Sequence, residues 1–263
     1  MLMITDNILL NTLLAMLTAV GVALITTPIV KAIAPHIGAV DIPKDDRRMH
    51  TKPMPLCGGI AIFLGFSVAM LLFSEMTAES WGIWLGGLAI VILGVVDDIF
   101  TLNAKLKFVL QFVAALIPVC FGLTMEHINV FGYNLHLGWF AYPLTLLWIV
   151  ALTNAVNLID GLDGLACSVT TVGSVALFAV GVIVSSPAIM ITSASLFGAC
   201  AGFLPYNFNP AKIFMGDSGS MFLGYMIAVI ALLGFKNVTL TTLLVPICLL
   251  AIPIMDTLFA IIR

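Results

Sequence analysis

The stretch GVVDDIFT, residues 94–101, ends an apolar run that begins near Trp81, and it ends it on two adjacent aspartates, Asp97 and Asp98. Carboxylates are costly at the centre of a bilayer and much cheaper at its edge. The composition frames the question: 62% of the 263 residues are hydrophobic, 9% are charged, and the mean hydropathy is +1.19. A soluble domain carries about 25% charged residues, so this chain has too few to cover a surface facing water. Repeated apolar runs of about 18 residues or more make an integral membrane protein of helices rather than barrel strands. Nine runs are read, near 8–34, 57–74, 82–97, 106–123, 139–156, 166–185, 188–205, 219–235 and 240–262. The expected fold is all-α: one polytopic helical bundle over 1–263 with about nine transmembrane helices. The five cysteines lie far apart in or beside these runs, without CxxC or metal spacing, and read as packing residues. The N-terminus MLMITDNILLNTLLAM lacks a basic start and carries Asp6, which favours a retained first span over a cleaved signal peptide.

The basic residues orient the bundle. Lys31, Lys44, Arg47, Arg48, Lys52, Lys105, Lys107, Lys212 and Arg263 fall in or beside one set of connections, and Lys236 alone belongs to the other. Nine against one puts the first set in the cytoplasm and the N-terminus outside. Asp97 and Asp98 then stand at the cytoplasmic rim.

Four polar clusters share that rim. Loop 41–59, DIPKDDRRMHTKPMPLCGG, is basic and proline-rich. Contact with anionic headgroups explains Lys44, Arg47 and Arg48, but does not require His50 or the TKPMP stretch. In DDIFTLNAKLKF, 97–108, adjacent helical residues point about 100° apart, so the two aspartates face different partners; taken alone, the cluster reads as charges marking a helix end. In NAVNLIDGLDGLA, 154–166, Asn154, Asn157, Asp160 and Asp163 recur every three residues as a polar stripe in the last turns of a span, where polar residues point to a site. In YNFNPAKIFMGDSGSMFLG, 206–224, the GDSGS segment precedes an apolar helix whose N-terminus offers N–H groups to phosphate, although a plain N-cap would explain the same residues. Five acids in one aqueous cleft repel one another. A divalent cation would relieve this, and oxygen ligands without His or Cys spacing favour Mg²⁺ or Mn²⁺ over zinc. Mg²⁺, lysines and a helix N-terminus together suit diphosphate chemistry.

Other motifs do not hold. GDSGS is not a serine-protease site, because His127 and His136 fall on the far face. No GxxxxGK[ST] loop is present, and Phe214 breaks the GxGD of intramembrane aspartyl proteases. A transporter would carry polar breaks near mid-membrane; only Asp256 lies somewhat within a span.

Together, HTKPMPLCGGIAIFLGF, LGVVDDIFTLNAKLKFVLQ, NAVNLIDGLDGLA and YNFNPAKIFMGDSGSMFLGY closely resemble the bacterial polyprenyl-phosphate N-acetylhexosamine-1-phosphate transferases, from about Val30 to Arg263. FNPAKIFMGDSGSMFLG looks more like the N-acetylglucosamine-1-phosphate branch than the muramoyl-pentapeptide branch. The resemblance implies a Mg²⁺-dependent enzyme of the bacterial inner membrane. It would convert UDP-GlcNAc and undecaprenyl phosphate to undecaprenyl-diphospho-GlcNAc and UMP, the first membrane step of teichoic acid, O-antigen or a related cell-wall polymer. By the same resemblance, Asp97 deprotonates or orients the lipid phosphate and Asp98 supports the metal or the base. Lys107 faces phosphate, and Asp217 is the principal Mg²⁺ ligand. Asn157, Asp160 and Asp163 form the nucleotide-sugar and active-site loop, and His50 and Lys52 meet phosphate. Asn154, Asn209 and Ser218 complete the expected substrate-binding set. No nucleic-acid partner is expected. Small residues in GVALITT and GFSVAM could support helix contacts or a homodimer. The family continues past IPIMDTLFAIIR into a basic, histidine-bearing loop and a further span, so this sequence is expected to be truncated at its C-terminus. The competing readings are the muramoyl-pentapeptide transferase and a non-catalytic transporter or lipid-binding protein.

Overall fold

The computed structural model describes residues 7–42, 53–130 and 133–235. Eight α-helices dominate: α1 (Ile8–Ile33), α2 (Gly59–Phe73), α3 (Ala78–Phe100), α4 (Ala104–Cys120), α5 (Ala141–Ile159), α6 (Leu165–Ile183), α7 (Pro187–Asn207) and α8 (Gly216–Phe235). They coincide with eight of the nine expected runs; the ninth, 240–262, lies outside the described residues. Six helical segments are long and apolar enough to cross a membrane: Ile8–Ile37, Ala78–Phe100, Gly138–Ile159, Leu165–Ile183, Pro187–Asn207 and Gly216–Gly234. The helices α2 and α4 are apolar but shorter, at 15 and 17 residues. With Ile25, Val113, Val172 and Ile183 exposed on outward faces, this is a multi-pass membrane protein. Beyond the helices there are two small antiparallel pairs, β1 (Val40–Asp41) with β2 (Met54–Pro55), and β3 (His127–Val130) with β4 (Tyr133–His136).

Helix α8 is the axis of the bundle. Helices α3 and α5 flank it, and α2, α6 and α7 complete its surroundings. From Ser218 to Leu232 every residue of α8 is buried. Fully buried Tyr225 donates its hydroxyl hydrogen to the Ile83 carbonyl of α3 at 3.0 Å. Apolar side chains gain little by leaving lipid for one another, so close backbone approach has to hold such helices together. At the α2–α8 crossing, a Cβ on Gly59 would fall 2.1 Å from the Gly219 amide nitrogen. Helix α1 packs on the outer side against α2 and α7.

Consecutive helices alternate in direction, so one end of the bundle collects the ends of α1, α3, α5 and α7 and the starts of α2, α4, α6 and α8. The start of α4 is set by Asn103, whose side chain accepts from the Lys105 amide at 2.9 Å. Lys107 then follows within the first turn.

Candidate active site

A cavity of about 1340 Å³ opens at that end, walled by residues from the ends of α3, α5 and α7, the starts of α4 and α8, and the β1–β2 pair. Lys107 lies on its wall, between two carboxylates. The ammonium lies 2.7 Å from Asp97 Oδ2 on α3 and 2.7 Å from Asp217 Oδ1 on α8. The other oxygen of Asp97 accepts from the Leu102 amide at 2.7 Å, fixing the turn out of α3. Asp97 is buried. Asn157 on α5 donates to the same Asp217 oxygen and, at 2.9 Å, to Ser220 Oγ. One carboxylate of α8 is thus gripped by a lysine of α4 and an amide of α5.

Asp98 turns away from its neighbour, as the helical step requires. Its Oδ1 accepts from the Asp217 amide at 2.7 Å, and its Oδ2 from the Ser218 amide at 3.2 Å and the Cys57 thiol at 3.4 Å. It caps α8 from another helix. This corrects the expectation that the α8 N-terminus offers these N–H groups to phosphate: two of them are already engaged. Asp98 lines the cavity, but both its oxygens carry backbone bonds, which leaves Asp217 the better-placed metal ligand. Gly216 makes the cap feasible. Its φ is +69°, and a Cβ there would lie 2.5 Å from Asp98 Oδ2.

One turn deeper, the same three helices meet again. Asn154 Nδ2 donates to Gln111 Oε1 at 2.7 Å, Gln111 Nε2 returns a bond to Asn154 Oδ1 at 3.3 Å, and it also reaches Met221 Sδ at 3.1 Å. Asn154 was expected to bind substrate; instead it is held in this interhelical pair and does not line the cavity. Ser218 was expected in the same role. It is wholly buried, with its hydroxyl donating to the Met215 carbonyl at 3.1 Å, and it too is absent from the wall.

The loop after α5 brings the other two acids. Asp163 Oδ2 accepts from Asn209 Nδ2 at 3.1 Å and from the Ala211 amide at 3.0 Å, tying this loop to the one after α7. Asp160 lies on the cavity wall, where burial, reinforced by the charges of Asp217 and Asp98, pushes its carboxyl up to about 7. His50 and Lys52 lie outside the described residues. Four polar residues outside the expected set also line the cavity: Asp41, Thr101, Asn207 and Ser220. Asn207 is buried, and its Oδ1 has no hydrogen-bond partner among the described residues. Sequence reasoning passed over Gln111 altogether. Its signal was available: an amide four residues after Lys107 in an otherwise apolar helix.

The donor set fits a hard divalent cation. Among the described residues no three His, Cys, Asp or Glu side chains gather as one ion site. Mg²⁺ does not need that, because it takes one or two carboxylates and completes its shell with water and substrate phosphates. The oxygens of Asp97 and Asp217 already share one cationic group, the Lys107 ammonium.

Residues 80–235 match the family model described as glycosyl transferase family 4. The chain is 47% identical to a probable undecaprenyl-phosphate N-acetylglucosaminyl 1-phosphate transferase of Bacillus subtilis, over 98% of this chain and 73% of the relative. It is 35% identical to a decaprenyl-phosphate N-acetylglucosaminephosphotransferase of Mycobacterium tuberculosis, over 94% and 69%. A phospho-N-acetylmuramoyl-pentapeptide-transferase of Clostridium botulinum is 36% identical over 73% and 64%.

Proposed function

The chain belongs to glycosyl transferase family 4, and on that premise we propose that it transfers N-acetylglucosamine 1-phosphate from UDP-GlcNAc to undecaprenyl phosphate. The observation that carries the reading is Lys107 set between Asp97 and Asp217 at the ends of apolar helices. A polyprenyl tail stays in lipid while its phosphate reaches such a rim, and a nucleotide sugar enters the same cavity from water. The basic residues favour a cavity in the bacterial inner membrane that opens to the cytoplasm, the compartment where UDP-sugars are made. The product would open assembly of a teichoic acid, O-antigen or related cell-wall polymer.

The reaction is an in-line exchange at phosphorus. An oxygen of the lipid phosphate attacks the sugar-bearing phosphorus of UDP-GlcNAc. A new P–O bond forms, the bond to the uridine-bearing phosphate breaks, and UMP leaves with the electron pair. Little covalent work falls to the protein, so positioning and charge carry the rate. Lys107 meets a phosphate oxygen as the anions enter. Asp97 holds that ammonium and orients the lipid phosphate; direct attack needs no covalent aspartate. Asn157 keeps Asp217 turned into the cavity, and Asp163 holds the loops after α5 and α7 together. Mg²⁺, or Mn²⁺ in its place, would be held by Asp217 and would neutralise the diphosphate and the departing UMP.

The test is UMP release by the purified full-length gene product in lipid. Release is expected only with Mg²⁺, UDP-GlcNAc and undecaprenyl phosphate all present. Asp97→Asn is expected to lose at least about a hundredfold in kcat while inserting and unfolding like the parent. No UMP with any UDP-amino sugar sinks the proposal. Release with UDP-MurNAc-pentapeptide alone transfers it to the muramoyl branch.

A further inference from the structure

At the end of the bundle opposite the cavity, the β3–β4 hairpin carries two histidines that the proposed reaction does not use. His127 and His136 are direct partners across the two strands. Both are exposed. His127 Nε2 and His136 Nδ1 lie 3.0 Å apart, with the rings tilted by 42° and their centroids 4.6 Å apart. The base of the hairpin is firmly placed. The Met125 amide donates to Thr145 Oγ1 of α5 at 2.9 Å, the Leu137 amide donates to the Glu126 carbonyl at 3.0 Å, and Leu123 and Met125 are buried beneath it. The two rings are therefore held together by packed backbone.

We propose that His127 and His136 form a two-nitrogen site for a divalent transition ion of the Cu²⁺ or Ni²⁺ type. The geometry suits one ion shared by both rings. With bonds of about 2.05 Å from each nitrogen to a shared ion, nitrogens 3.0 Å apart subtend about 95° at it. Rings aimed at that ion would have centroids about 4.7 Å apart, against the 4.6 Å seen. An angle near 90° suits the tetragonal preference of Cu²⁺ and Ni²⁺; zinc's tetrahedron would need the nitrogens to open to about 3.3 Å. In the neutral pair one ring lends its hydrogen to the other. The ion needs both lone pairs, and the donor ring supplies its own by moving its hydrogen to the outward nitrogen, with no net proton loss. The remaining coordination positions are left to water or an external ligand. No third His, Cys, Asp or Glu joins the pair among the described residues, so the ion exchanges and clamps the hairpin only while bound. Imidazole selects against Mg²⁺, which favours oxygen ligands, so the two ends of the molecule sort hard from borderline cations.

The test uses the tag-free full chain in nanodiscs with one equivalent of Cu²⁺. Electron paramagnetic resonance is expected to show a tetragonal signal coupled to two nitrogens, unchanged by excess Mg²⁺. His127→Gln and His136→Gln each lose that coupling pattern and weaken Ni²⁺ binding, followed by calorimetry, by at least about tenfold. Both side chains are exposed, so thermal unfolding without metal is expected to match the parent and serves as the folding control. His36→Gln, at the other end of the bundle, keeps the signal. Retention of the two-nitrogen signal in either hairpin variant overturns the proposal. So does the lack of a stoichiometric signal in the parent, which would leave the pair a cross-strand hydrogen bond alone.

Discussion

Burial and two neighbouring carboxylates keep the Asp160 carboxyl near 7, far above the 3.8 of the free group. The sign of the consequence follows from linkage. Below about pH 4 both folded and unfolded chains hold the proton, and nothing is lost. Between about 4 and 7 the unfolded chain releases it while the folded chain retains it, so stability falls as pH rises across that window. Asp160→Asn removes the ionisation. Its melting temperature in nanodiscs is expected to exceed the parent's by a few degrees at about pH 7.5 and by much less at about pH 4.5. Equal differences at both pH values would count against a raised Asp160. That acids and a lysine would crowd this end was legible in the sequence, because each falls at or just beyond the end of an apolar run that the basic residues place on one side. Which carboxylate Lys107 grips was not legible. That depends on the rotation of α3, α4 and α8 about their own axes, and spacing along one chain does not set it.

Helices α4, α5 and α8 meet in two layers. The outer layer is Lys107, Asn157 and Asp217; the inner is Gln111, Asn154 and Met221. The i,i+4 and i,i+3 spacings stack one layer on the other, so the inner amides set the rotation of the outer groups. Gln111→Leu leaves Asn154 short of a partner in an apolar interface. It is expected to cost about 1 kcal/mol in unfolding and to lower kcat about tenfold with little change in KM. Unchanged kcat would show that the inner layer is packing alone. Here the sequence misled. The period-three stripe correctly joined Asn154 to Asn157 on one face, but a stripe carries no depth, and Asn154 lies a turn too far inside. The α8 start misled for a related reason: its N–H groups looked open until Asp98, more than a hundred residues earlier, was found capping them.

At the scale of the whole molecule, nine spans were expected, and among the described residues six helical segments meet the length and hydropathy of a crossing. The two shorter ones, α2 and α4, fall short in length; α4 begins on the cavity wall with Ala104 and Lys107, while Gly59 at the start of α2 packs against Gly219. Hydropathy reads composition and cannot distinguish a helix that starts inside a polar vestibule from one that starts in headgroups. Sidedness has its own test. A cysteine at Trp139, an exposed aromatic beside the hairpin, is expected to react with a membrane-impermeant maleimide on intact cells. A cysteine at Thr101, on the cavity wall, should react only after permeabilisation, and the opposite pattern would invert the bundle.

The central position of α8 also bears on how the protein is made. Translation delivers α4, then α5, and α8 only after α6 and α7. The neighbouring pair can join Gln111 to Asn154 as soon as both are in the bilayer, and Lys107 can find Asp97 while the ribosome is still at work. Until residue 217 emerges, Asn157 has no carboxylate to grip and Asp98 no helix to cap. The nascent chain therefore carries a half-walled vestibule while α6 and α7 are made, and the segment that completes the reactive cluster is also the one around which the other helices close.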